Sequence, residues 1–80
     1  MPPLDRLKRL DVRGLLAKGL EPLPAIRQRV SDLKAGEGII VHAPFLPSPL
    51  IELLGSEGFE SKVERGDAGD WIVFFWRPAR

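Results

Sequence analysis

His42 is the only histidine in the 80-residue chain, and cysteine is absent. Disulfides, thiol nucleophiles, persulfide carriage and thiolate metal sites are therefore excluded. A multi-histidine metal site within one chain is excluded too, because transition metals want three or four ligands. No Gly-rich phosphate loop, zinc motif or Ser/His/Asp triad is present, and Glu21 and Asp70 show no spacing of an acid–base pair. What remains is the binding of a small anion or of a partner's carboxylate. The residue types that suit it are Arg13, Lys18 and His42, with Gly14, Gly19, Glu21 and Pro22 around them. Glu21, Asp67 and Asp70 would oppose a strongly negative ligand. The plainer roles are structural: Arg13 paired with Asp11, Glu21 or Asp70 to hold a loop, and His42 hydrogen-bonded at a strand end.

These residues need elements to position them. Leu7–Val12 reads as a first strand, ended by Asp11, Arg13 and Gly14. Glu21-Pro22-Leu23-Pro24 opens a helix, since proline is tolerated in a first turn whose N–H groups are unpaired anyway. Leu23, Ile26, Val30 and Leu33 then recur at helical spacing, and Gly36 is the expected stop. Gly38–Ala43 is short, β-branched and almost wholly apolar, the pattern of an interior strand. Ser48 is the expected cap of a second helix with Pro49 in its first position, faced by Leu50, Leu53 and Leu54 and closed by Gly58. Phe59, Ser61 and Val63 alternate with Glu60, Lys62 and Glu64, a strand with one wet face. A turn over Gly66–Asp70 leads to a last strand, Trp71–Trp76, stopped by Pro78.

The order strand, helix, strand, helix, strand, strand predicts an α+β fold. It is a two-layer α/β sandwich (βαβαββ), a four-stranded mixed sheet with two helices on one face. One domain covers residues 1–80, with its core at about 7–77 and loose ends at Met1–Asp5 and Ala79-Arg80. The last strand is apolar on both faces: Trp71, Val73 and Phe75 one way, Ile72, Phe74 and Trp76 the other. One trio must lie on the open face, either covered by neighbours such as Leu7, Lys62 or Arg65 or available to a partner.

Leu10-Asp11-Val12-Arg13-Gly14-Leu15, then Glu21-Pro22-Leu23, Gly36-Glu37, Pro47-Ser48-Pro49-Leu50 and Gly58-Phe59 resemble the TusA/SirA-like superfamily. The likeness is to an uncharacterised branch, a domain of unknown function without the sulfur-carrier cysteine. It covers about Leu10 to Arg77. The resemblance implies strand order 1-2-4-3, with the last strand central and antiparallel, as in the C-terminal domain of translation initiation factor three. Counting forward from Gly14 puts the family's cysteine position at Ala17; counting back from Glu21-Pro22 puts it at Gly19. Neither holds sulfur.

Ligands in such sheets sit at the carboxyl ends of parallel strands. That rim is formed by Arg13–Glu21, His42–Ser48 and Arg65–Asp70, and both helix N-termini point toward it. The expected function is a non-catalytic binding domain with no cofactor. Its expected partner is a protein, one linked by the resemblance to sulfur or redox metabolism, or a small anion. A homodimer through the open sheet face is a further expectation. The alternative is RNA binding, by analogy of fold and from the basic stretch Arg6, Lys8, Arg9 and Arg13. Nucleic acid is the weaker reading, because a net charge of +1 falls short of a basic footprint. Residues 1–34 carry eight basic and four acidic residues, and residues 35–80 carry four basic and seven acidic, a mild dipole. No apolar run approaches the roughly 20 residues of a membrane helix, and charges at Arg6, Lys8, Arg9 and Asp11 break any signal-peptide core. The expected location is cytoplasmic.

Overall fold

The computed structural model describes residues 2–66 and 69–78, without the side chain of Pro22. After a 3-10 turn at Leu4–Arg6 come β1 (Leu7–Asp11), α1 (Arg13–Ala17), α2 (Pro22–Ser31), β2 (Gly38–Ala43), α3 (Ser48–Ser56), β3 (Glu60–Arg65) and β4 (Trp71–Trp76). The sheet order is β1-β2-β4-β3. β1 runs parallel to β2, and β4 is antiparallel to both of its neighbours. The four-stranded mixed sheet expected from the sequence is the one that forms. A strand that is apolar on both faces gains most from a central place, where two neighbours flank it, and β4 takes that place.

Strand alternation sorts the apolar residues into two sets. On the helix side Ile39, Val41, Ala43, Val73 and Phe75 pack with Ile26 and Val30 of α2 and with Leu50 and Leu54 of α3. Fully burying each large aliphatic or aromatic side chain is worth roughly 1.5–3 kcal/mol, so this layer carries the stability. On the open side Leu7, Ile40 and Phe74 form a second cluster, joined by Ile72 and Trp76. Phe74 is only 8% exposed although, among the described residues, no helix residue joins its cluster. A Cβ at Gly38 would collide with the Phe75 carbonyl and come within 2.7 Å of Leu7 Cδ2 and 2.8 Å of Trp76 Cβ. Glycine there lets Leu7 and Trp76 close over the strand. The Trp76 indole Nε1 donates to Glu60 Oε2 at 2.8 Å. The open-face trio is thus largely covered by its own neighbours.

Several local expectations need correction. The chain from Arg13 to Glu21 is not all loop: α1 occupies Arg13–Ala17, so the described residues form three α-helices. Five residues are too few to hold a helix by propensity; Leu15 and Leu16 hold it by packing against the core. The region up to Asp5 includes the 3-10 turn, closed by Arg6 N–H to the Pro3 carbonyl at 2.9 Å. Ser48 does not cap α3. Pro47 holds the cap position and Ser48 is the first helical residue, with Pro49 second. α2 ends at Ser31, before Leu33 and Gly36, and the Arg77 guanidinium takes up the Leu33 and Val30 carbonyls at 3.1 and 3.4 Å. β3 has no dry face, for all six residues are exposed. The reason is its edge position: the helix-side core draws on β2, β4 and Phe59 and on no residue of Glu60–Arg65. The part of the expected turn at Asp67-Ala68, and Met1, Ala79 and Arg80, lie outside the described residues.

Candidate functional site

The sequence places Asp11 at the end of β1, Arg13 at the start of α1, His42 near the end of β2 and Asp70 just before β4. The sheet brings all four together. Arg13 donates to Asp11 through Nε and Nη2, at 3.0 and 2.7 Å, and its backbone N–H donates to Asp11 Oδ1 at 2.9 Å. Its remaining arm, Nη1, reaches Asp70 Oδ2 at 2.7 Å. The Asp70 carboxylate only accepts, so His42 Nε2 carries the hydrogen in its 3.2 Å contact with Asp70 Oδ2. The Arg13 side-chain hydrogen bonds, then its backbone N–H, pull the Asp11 carboxyl down to about 2. The Asp11 and Asp70 carboxylates hold the Arg13 guanidinium above its ordinary value.

Two carboxylates facing one guanidinium and one imidazole leave no surplus positive charge. The Arg13 fork is bidentate on Asp11, the strong geometry for arginine, and its third direction is also taken. Among the described residues no serine or lysine side chain hydrogen-bonds into the cluster as a candidate nucleophile. The arrangement ties β1, α1, β2 and β4 into one rim. Beside it on the open face is a depression of about 180 Å³, lined by Arg9, Leu10, Asp11, Ile40, His42 and Ile72.

The other expected site residues stay apart from this cluster. Lys18 and Glu21 are exposed and, among the described residues, make no ion pair. Gly14 sits in α1 with open space where a Cβ would be. Gly19 has φ +74°. Its N–H bonds the Leu16 carbonyl at 3.0 Å while Leu20 N–H bonds Leu15 at 2.9 Å, the two bonds of a Schellman stop. Ala17 is the last residue of α1. The two positions matched to a carrier cysteine therefore end a helix and terminate it. Pro22 is the first residue of α2.

Proline governs the character of the helix starts. In α2 the first and third positions are Pro22 and Pro24; in α3 the cap and the second position are Pro47 and Pro49. Each removes an N–H that would otherwise face the rim. Ser48 N–H, one of the few left, is taken by the Leu46 carbonyl at 2.9 Å. Two helix ends that would normally attract an anion each lose two of their four free N–H donors.

Between them lies an apolar pocket of about 260 Å³. Val12, Val41 and Ala43 form its floor, each no more than 2% exposed. Its walls are Leu23 and Ile26 from α2 and Leu50 and Leu53 from α3, and the lining is completed by exposed Phe45 and Pro49 and buried Pro47. Leu23, Phe45 and Leu46 are 40%, 50% and 38% exposed. None of these residues is named among the site candidates, although Ala43, Phe45 and Pro47 lie in the expected rim loop His42–Ser48. The available signal was Phe45-Leu46 itself, two large apolar residues inside a proline-bracketed loop where no helix or strand period buries them.

The basic stretch does not gather into one patch. Lys8 pairs with Ile39 and Arg9 with Ile40, so strand alternation sends them to opposite faces, and Arg13 is neutralised.

Residues 9–77 match the family described as "Uncharacterized conserved protein (DUF2249)", and the chain belongs to that family. No curated protein and no solved structure matches it. The likeness to TusA/SirA-like proteins rests on the motif residues quoted above.

Proposed function

We propose that this DUF2249 domain is a non-catalytic interaction module whose rim pocket receives an apolar side chain of a protein partner. The pocket between α2 and α3 carries this reading: every lining residue is apolar, and two of them, Leu23 and Phe45, stay exposed. Its 260 Å³ falls just below the range of about 300–1,000 Å³ usual for sites of drug-sized ligands. One anchoring side chain suits it better, since anchors filling dry pockets dominate protein recognition. The neighbouring polar cluster supports a scaffold role, because its charges are already matched. A chain without cysteine cannot carry sulfur on its own thiol, so any link to sulfur chemistry would run through what it binds.

The test is a titration with short peptides bearing single Leu, Phe or Trp side chains, followed by amide chemical shifts. Shifts at Leu23, Phe45 and Leu50 are expected. Phe45→Asp should weaken binding roughly tenfold or more, since burying such an anchor is worth about 1.5–3 kcal/mol. Shifts confined to His42, Asp70 and the open face would refute the assignment.

A further inference from the structure

The sheet has two edges, and β3 is built unlike β1. Gly66 N–H donates to the Asp70 carbonyl at 2.8 Å, and the β3–β4 register continues from that pair through Glu64–Ile72, Lys62–Phe74 and Glu60–Trp76. Hydrogen-bonded pairs alternate with non-bonded ones in an antiparallel ladder. The N–H and C=O groups of Ser61, Val63 and Arg65 therefore point away from β4, along the free edge. Among the described residues no other backbone group bonds them. Edges of this kind pair with other chains unless they are blunted. β3 has no proline, its side chains are exposed throughout, and Val63 is a 40% exposed apolar residue near its middle.

We infer that β3 pairs antiparallel with β3 of a second copy, about a two-fold axis at Val63, joining two sheets into one of eight strands. The sequence is complementary to itself in this register. Val63 meets its own copy, and Ser61 meets Arg65 of the second copy. All six outward groups of each copy then find partners. On the other face Lys62 lies opposite Glu64 of the second copy, and Glu64 opposite its Lys62. Lys62 and Glu64 already lie close within one chain, at 3.3 Å, so the dimer sets four alternating charges side by side. Directly opposed unlike charges stabilise a strand pair and like charges destabilise it. A register centred on Ser61 would run off the strand into buried Phe59. The same pairing at β1 would set Arg9 against its own copy. The contact uses no residue of the rim pocket, so dimer formation and peptide binding fail or succeed separately.

The experiment is solution mass by sedimentation, up to roughly 1 mM protein, so that a dimer with a Kd of that order is populated. Wild-type protein should show a monomer–dimer equilibrium. Lys62→Glu and Glu64→Lys should each weaken it roughly tenfold or more, because two like-charge pairs replace two unlike ones. Mixed in equal amounts, the two variants should form a heterodimer, since two acidic side chains at positions 62 and 64 of one copy then face two basic ones on the other. An effect confined to the intrachain Lys62–Glu64 pair cannot produce that rescue. Val63→Pro should be monomeric with an unchanged amide spectrum at β4, because the N–H it removes points outward. A wild-type monomer throughout, a dimer indifferent to these variants, or masses that keep growing through open-ended β1–β3 contacts would each overturn the inference.

Discussion

The rim at the carboxyl ends of β1 and β2 has two halves of opposite character. One holds Asp11, Arg13, His42 and Asp70, the residue types that suggest chemistry, and there Arg13 and His42 already have carboxylate partners. The other holds leucines, prolines and a phenylalanine, and it is the half left unfilled. Charged groups brought close satisfy one another, because a salt-bridged network leaves no unmatched field. Apolar side chains at a concave rim with proline-stripped helix ends have only water to meet. The reactive-looking half is therefore the brace, and the chemically dull half is the one the proposed partner would use.

Substitutions can break or sharpen this contrast. The largest effect is expected in the apolar half. Leu50→Asn puts an unpartnered amide at a site only 8% exposed and should cost about 2–4 kcal/mol in denaturant unfolding. A loss near zero would mean that the pocket wall is wet. In the polar half Arg13→Met leaves Asp70 with His42 alone and should lower the Tm by a few degrees. Full retention of Tm would show that the cluster braces nothing. Gly19→Ala forces a left-handed backbone on alanine and should cost about 1 kcal/mol. Gly14→Ala, at a helical position with open space for the methyl, should be neutral or stabilise by up to about 1 kcal/mol. A reversed order would restore Gly14 as a residue that needs its bare backbone.

Acid gives the smallest effect. The Asp11 carboxyl is held at about 2 against 3.8 for a free one. Its contribution is complete above pH 3.8 and is lost as pH falls through about 2. The pair is half exposed, so the loss should be at most about 1 kcal/mol. Comparing wild type with Asp11→Asn by thermal unfolding from mildly acidic pH down to about 2 checks the sign: the difference should shrink as pH falls.

Periodicity made most of the fold legible. Trp71–Trp76 alternates two apolar faces, which suits the central place that the resemblance implied and the sheet gives it, and Leu23, Ile26 and Val30 mark the face of α2. The short helix α1 escaped because five residues carry too little local signal; its reason to exist is the core under Leu15 and Leu16. The exposure of β3 escaped because alternation gives the faces of a strand but not whether a helix lies above it. Of the expected rim residues, Arg13 and His42 meet, whereas Lys18, Gly19 and Glu21 belong to the α1–α2 connection.

By itself the sequence settled the absence of a thiol, the strand and helix periods, and the presence of prolines at two helix starts. These are matters of composition and of neighbours a few residues apart. Only the tertiary structure decided that Asp70, 57 positions from Arg13, takes its last free arm, and that Leu23, Phe45 and Leu50 converge on one hollow. Ion pairs and cavities depend on distances between elements, and those distances are fixed by how the helices pack across the sheet.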